Sequence, residues 1–457
     1  DQQMTTAAPP ADPRALLADL YWAAITAAAP GPALRVALTR VATDPSRPIH
    51  LIALGKAALP MAQTAVDVLA ERGLAPAGGI LVVPEASPSP HPQLSVAVGD
   101  HPQPGPGSFS AAAQLGDAVA AVHPDHEAWV LLSGGTTSLI GAPLPGLRPT
   151  DLTELYRQLL GSGLDITAMN RIRKRFTRWA GGRLAAALYP AHVKNFTISD
   201  VIGDDLPSIG SGPCVPDISS AAEVRTALGS AGMWENVATG LRQHLEAVIR
   251  GEAPETPKPD HPAFRTTQTI LIASNRLALE AAADRARALG LEALLLDTAL
   301  AGEAAEVGRR LASKLVDYDA TNGVRAQAGK VNKDTILVWG GETTVTLGSA
   351  TGLGGRSQEL ALAAAEVLAR AGGETAGRTV HLLAAGTDGR DGPTDAAGGF
   401  AEASTWEAIR GSGRDPARDL QTHHAYDALA AGGALFKTGM TGTNVMDLVL
   451  GLISRAA

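Results

Sequence analysis

Short apolar runs that close on glycine or a small polar residue alternate along this chain with stretches of helical period, and few folds accept that pattern. Residues 50–55 (HLIALG), 78–84 (GGILVVP), 95–102 (SVAVGDHP) and 128–135 (AWVLLSGG) have the length and continuous apolarity of buried strands. Helical stretches separate them at 56–73, ending on Gly73, and at 109–122. Two amphipathic helices broken near Pro30 precede them over residues 13–41. Strands buried on both faces and joined by helices make a largely parallel sheet. Further on, 152–163 and the basic stretch 169–188 are helical by period, and 195–203 is a strand opening into a polar loop. The proline-rich, charged segment 251–262 is the best linker, so domains are expected at 12–255 and 262–457. Alternation then resumes, with strands at 269–275, 291–297 and 380–389 and helices at 278–290, 302–318 and 356–372. Residues 335–347 read as strand, turn, strand, 319–334 as a polar surface loop, and 441–453 (TGTNVMDLVLGLI) as a closing helix. The expected class is α/β: two α/β domains, the first Rossmann-like with a mainly parallel sheet, and a cleft between them.

Composition narrows the ligands. With aromatics at 4%, the core must be built from Ala, Val, Leu and Ile. A net charge of -8 without a basic stripe argues against nucleic acid as a partner, so an anionic ligand must be held by local devices. No apolar run approaches the ~20 residues that span a bilayer, and the first residues lack a signal pattern, so no membrane partner is expected. The single cysteine, Cys214, precludes an internal disulfide and suits a cytoplasmic setting; it reads as a small buried hydrophobe.

In sheets of this type ligands bind beyond the carboxyl ends of the strands. Six loops there are rich in glycine and polar residues: 55–58 (GKAA), 133–138 (SGGTTS), 199–213 (SDVIGDDLPSIGSGP), 340–344 (GGETT), 352–359 (GLGGRSQE) and 386–395 (GTDGRDGPTD). Two read as phosphate cradles. The backbone N–H groups of Ser133, Gly134, Gly135, Thr136, Thr137 and Ser138 can surround an anion. Gly354 and Gly355 open a helix whose dipole favours negative charge, beside the guanidinium of Arg356. Asp388, Asp391 and Asp395 share one glycine-rich loop, a composition that suits Mg²⁺ and equally an ordinary surface turn. Asp200, Asp204 and Asp205 form a second acidic loop. Lys56 heads a helix directly after a buried strand, where its charge opposes the dipole, and that conflict favours a functional role. Arg171, Arg173, Lys174, Arg175 and Arg178 read mostly as a solvated basic face. The histidines of 123–126 (HPDH) and 423–424 lack partners at zinc spacing and read as surface residues. The P-loop, dinucleotide and protein-kinase motifs are all missing.

Together, SDVIGDDLPSIGSGPCVPD, GGETTVTLGSATGLGGRSQELALA, GTDGRDGPTDAAGG and TGTNVMDL resemble the class II glycerate 2-kinases, with a glycerate kinase N-terminal domain and a C-terminal MOFRL domain. The resemblance covers residues 14–450. It implies transfer of the ATP γ-phosphoryl group to the 2-hydroxyl of D-glycerate, with Mg²⁺. Lys56 and Arg356 match the family's main charged active-site residues, and Asp204 and Asp205 its GDD loop. On this resemblance Lys56, Arg356 and Asp200 are the catalytic candidates. Ser133–Ser138, Gly340, Gly341, Glu342, Thr343, Thr344, Gly354 and Gly355 would hold ATP. Lys56, Arg356, Asp204, Asp205 and Ser211 would hold glycerate, and Asp388, Asp391 and Glu342 the metal. A homodimer is compatible with this reading. The chain departs from the family pattern at Ala180, where a lysine is usual and Arg178 or Arg183 could compensate, and at Cys214, where threonine is usual.

Two rivals remain at this point. A hydroxypyruvate reductase would act on the same metabolite pair, but the dinucleotide fingerprint is missing. A non-catalytic anion-binding module would explain the glycine loops but not the Lys, Arg and Asp gathered with them.

Overall fold

The computed structural model describes residues 10–297, 299–318, 333–348, 352–372 and 378–455. They divide into two compact units, one of residues 30–272 and one of the described residues before 30 together with those from 273 on.

The 30–272 unit is built on six strands: β1 (Ile49–Leu54), β2 (Gly78–Val83), β3 (Leu94–Val98), β4 (Glu127–Leu132), β5 (His192–Ile198) and β6 (Thr267–Ala273). Their order is β3-β2-β1-β4-β5-β6, and the pairs β1–β2, β1–β4, β2–β3 and β4–β5 are parallel. This is the doubly wound order, in which the chain reverses its direction of travel across the sheet between β1 and β4. Every residue of β1 and β4 is buried, which is why both read as continuous apolar runs without alternation. In keeping with the scarcity of aromatics, the core is mostly aliphatic: Ile52, Ile80, Val82, Val130 and Leu132 cluster with Ala111, Ala112 and Leu115 of helix Pro106–Ala120.

The other unit holds β7 (Glu292–Leu295), β8 (Thr335–Gly341), β9 (Arg378–Gly386), β10 (Gly398–Glu402), β11 (Leu435–Phe436) and β12 (Asp447–Arg455). Their order is β11-β10-β9-β12-β8-β7. Only the β7–β8 pair is parallel; β12 runs antiparallel between β8 and β9.

Several sequence expectations change here. The closing segment is strand β12, not a helix. A short, wholly apolar run carries no period to separate the two, and Gly451 lies so close to Leu315 that a Cβ there would come within 2.6 Å of it. Among the described residues after β8 no second strand follows before helix Arg356–Arg370; Thr344 makes an isolated bridge to Glu303. The basic stretch breaks into helices Ile166–Phe176 and Arg183–Leu188, with Gly181 and Gly182 at positive φ between them. It is a solvated face only in part: Arg171 is exposed, but Lys174 and Arg175 are buried, 3.4 Å and 3.6 Å from the carboxylate of Asp217, and Arg175 also pairs with Glu255. Glu255, Thr256 and Lys258 tie the proline-rich segment into this cluster, so it is an anchored part of the 30–272 unit and no linker. Helix Pro13–Ala28, expected in the first domain, belongs with the C-terminal sheet: Arg14 pairs with Glu402, Asp19 with Arg285, and Tyr21 donates to the carbonyl of Gly386. Most of the expected polar loop at 319–334 lies outside the described residues.

Candidate active site

In the 30–272 unit the predicted residues gather at the reversal between β1 and β4. Gly55 ends β1 with φ +117, and a Cβ on it would lie 2.3 Å from the Ser133 hydroxyl, so only glycine lets the two strand ends close on each other. Three hydrogen bonds seal the junction: Lys56 N–H to Gly134 O at 2.9 Å, Ala57 N–H to Ser133 Oγ at 3.0 Å, and Ser133 N–H to Leu54 O at 3.0 Å. Lys56 is exposed and its chain lies along Gly135, its Cγ and Cε 3.3 Å and 3.4 Å from where a Cβ would stand. His101 borders the same point, and burial, then the Lys56 charge, lowers its pKa. On the other side of the loop the Asp200 carboxylate, from the end of β5, comes within 2.4 Å of a Cβ built on Gly134. A cation from the end of β1 and a carboxylate from the end of β5, the strands on either side of β4, thus flank one glycine pair.

The hydroxyls of this loop are mostly committed to holding it. Thr136 donates to Ser133 O at 2.8 Å, Ser138 to Pro102 O at 2.6 Å, and Thr137 shares a 2.9 Å bond with Ser211. That last contact joins the loop to the 199–213 segment, where Asp204 and Ser211 both have positive φ and Asp205 is exposed and bonded to Ser208. Arg183 cannot replace a missing lysine at 180. It is half-buried and donates to the carbonyls of Lys174, Arg175, Thr177 and Ala180, closing the end of helix Ile166–Phe176. Arg178 lies over the Trp179 ring. Cys214 is buried, as expected.

In the other unit Arg356 opens helix Arg356–Arg370 and is held by two carboxylates. Its Nε and Nη2 donate to Asp447 at 2.5 Å and 3.1 Å, and its Nη1 lies 2.5 Å from Glu342. Asp447 was not expected. As the first residue of β12 it pairs in register with Gly341 and Gly386, the ends of β8 and β9. Burial pushes its pKa up to about 7, against the lowering effect of Arg356. The helix N-terminus is not an open phosphate cradle. The N–H groups of Ser357 and Gln358 donate to the buried carboxylate of Asp391 at 3.1 Å and 2.8 Å. Gly340 also has a packing role, since a Cβ on it would overlap the side-chain oxygen of Asn275. Thr343 is buried and Thr344 is half of the bridge to Glu303. Two histidines read as surface residues have buried partners: His126 bonds His50 and His423 bonds Glu359.

Asp388, Asp391 and Glu342 do not fit a metal ion as they stand. Asp391 caps the helix, Asp388 accepts from its own loop at Arg390 N–H, and Glu342 lies on Arg356. Among the described residues no group of three or more His, Cys, Asp or Glu is arranged to hold one. Nor is any described helix long and apolar enough to cross a membrane.

The chain matches two family models, a domain of unknown function (DUF4147) over residues 16–246 and the MOFRL family over residues 335–447. It is 34% identical to a glycerate 2-kinase of Pyrococcus horikoshii, covering 89% of this chain and 87% of that one. To a D-glycerate 2-kinase of Thermotoga maritima it is 35% identical, covering 89% and 90%. The chain belongs to the class II glycerate 2-kinase family. A crystal structure of a Thermotoga maritima glycerate kinase aligns to it with TM-score 0.84 at 33% identity, over 97% of this chain and all of the other. In this member of the class II glycerate 2-kinases Lys56 lies at the strand reversal of one unit and Arg356 at the strand ends of the other.

Proposed function

We infer that the protein transfers the γ-phosphoryl group of ATP to the 2-hydroxyl of D-glycerate. Its glycerate kinase relatives support that reaction, and the observation that carries it here is Lys56 lying along Gly135 with Asp200 against Gly134. Phosphoryl transfer asks for positioning and for stabilisation of charge on the moving group, with little covalent chemistry from the protein. In this reading Lys56 offsets the charge on the transferred phosphoryl. The backbone N–H groups of the 133–138 loop orient the phosphates. Asp200 orients the 2-hydroxyl and accepts its proton as the hydroxyl oxygen bonds to the γ-phosphorus and the bond to the β-phosphate oxygen breaks. Arg356 takes the glycerate carboxylate, with Asp204, Asp205 and Ser211 as further substrate contacts. The lone buried thiol suits a cytoplasmic enzyme.

Coupled detection of ADP release with D-glycerate tests the reading, and NMR of the product identifies the phosphorylated carbon. NADH oxidation with hydroxypyruvate, without ADP release from glycerate, would replace it with the reductase.

A further inference from the structure

The two carboxylates on Arg356 are not equivalent. Asp447 makes a two-point contact through Nε and Nη2, its side chain is 6% exposed, and its backbone is fixed between two neighbouring strands. Glu342 reaches only Nη1, its side chain is 43% exposed, and it follows the end of β8 in a non-repetitive segment. A buried, forked pair is costly to break, whereas a half-exposed single contact contributes little. With both carboxylates ionised the group of three carries one net negative charge. An anion added on top would raise that to two; an anion that displaces Glu342 leaves it unchanged.

We propose that Glu342 is a built-in competitor, occupying the donor edge of Arg356 until the carboxylate of the 2-hydroxy acid substrate takes its place, while Asp447 is the positioning residue that keeps the guanidinium aimed throughout. This rests on the assignment of glycerate to Arg356 made above. It makes substrate capture a carboxylate-for-carboxylate exchange and gives Glu342 control over affinity for the acid.

The test uses the full chain and two readouts: calorimetric binding of D-glycerate without nucleotide, and steady-state ADP release. Glu342→Gln removes the competing charge, so the Kd and the KM for D-glycerate are expected to fall about threefold to fivefold, the range a half-exposed ion pair supports. Glu342→Ser, with no amide to bond the guanidinium, should move them the same way. Asp447→Asn should raise both and lower kcat, because the guanidinium loses its fixed anchor. Unchanged or weaker glycerate binding in both Glu342 variants overturns the exchange. So does a fall in kcat with a raised KM for ATP and an unmoved KM for glycerate, which would put Glu342 on the nucleotide. Wild type that binds D-glycerate but releases no ADP overturns the kinase reading alone, and the Kd ratio still decides the exchange. Wild type that does not bind D-glycerate overturns both.

Discussion

Replacing Asp217 with Asn should destabilise the 30–272 unit far more than a typical surface change. Asp217 is buried and accepts from Ser219 N–H at 3.1 Å, Ser219 Oγ at 2.8 Å and Thr256 Oγ1 at 2.9 Å, with Lys174 and Arg175 within 3.6 Å. Burial works against its charge, but Lys174, the Ser219 hydroxyl and Arg175 together hold its pKa below the ordinary value. An asparagine keeps the shape; its Oδ1 can still accept from Ser219, and its Nδ2 can donate to the Thr256 hydroxyl, which has Glu255 as another acceptor, so the substitution chiefly removes the charge. It takes the ion-pair partner from buried Lys174 and leaves Arg175 paired with Glu255, a loss of about 3–5 kcal/mol. With an m-value of ~2 kcal/mol/M the urea midpoint should fall by about 1.5–2.5 M. The cluster also carries the 199–213 loop, through Lys174 Nζ on Pro207 O at 3.4 Å, so activity at intermediate urea should be lost in parallel. Tryptophan fluorescence during urea titration measures the shift. Lys174→Met in the Asp217→Asn background should recover part of it. A single variant within about 1 kcal/mol of wild type, or a double variant worse than the sum of its parts, would show that the cluster is not held by charge.

Three further outcomes are expected. Lys56→Ala should lower kcat by about 10²–10³-fold with an unchanged melting curve, as loss of a charge-stabilising group does; near-wild-type turnover would remove Lys56 from the chemistry. Gly134→Ala places a Cβ 2.4 Å from the Asp200 carboxylate, and a displacement near 1 Å should cost about 10²-fold in kcat/KM, measured by ADP release. Glu402 is held at about 2, below its ordinary 4.5, first by the His381 hydrogen bond and then, against burial, by Arg14. A depressed carboxylate adds stability above its unfolded pKa and loses it as pH falls towards the folded one. Wild type should therefore exceed Glu402→Gln by up to about 3 kcal/mol near pH 6, with the gap closing between pH 4.5 and 2 in pH-dependent denaturation.

The strand-end loops were legible because buried parallel strands leave a plain signature, an apolar run stopped by glycine. That signature located Gly55, Lys56 and the 133–138 loop at the ends of β1 and β4. Asp447 was hidden because β12 has no period and its partner Arg356 lies 91 residues away. The burial of Lys174 and Arg175 was hidden for a related reason. A run of basic residues shows its charge but not the Asp217 and Glu255 that neutralise it. The capping of helix Arg356–Arg370 by Asp391, from another loop, likewise left both segments resembling open ligand sites.

Helix Pro13–Ala28 joins the sheet formed by the end of the chain, so one unit is sequence-discontinuous and the other is inserted into it. During synthesis the inserted unit can complete its fold while the helix that emerged first still waits for its sheet. A fragment cut at residue 273 would lack that helix, leaving Glu402 without Arg14 and Gly386 without the Tyr21 hydroxyl. The region matched by the MOFRL model should thus be insoluble or poorly folded on its own, whereas residues 30–272 carry both ends of their sheet and are the better fragment to express.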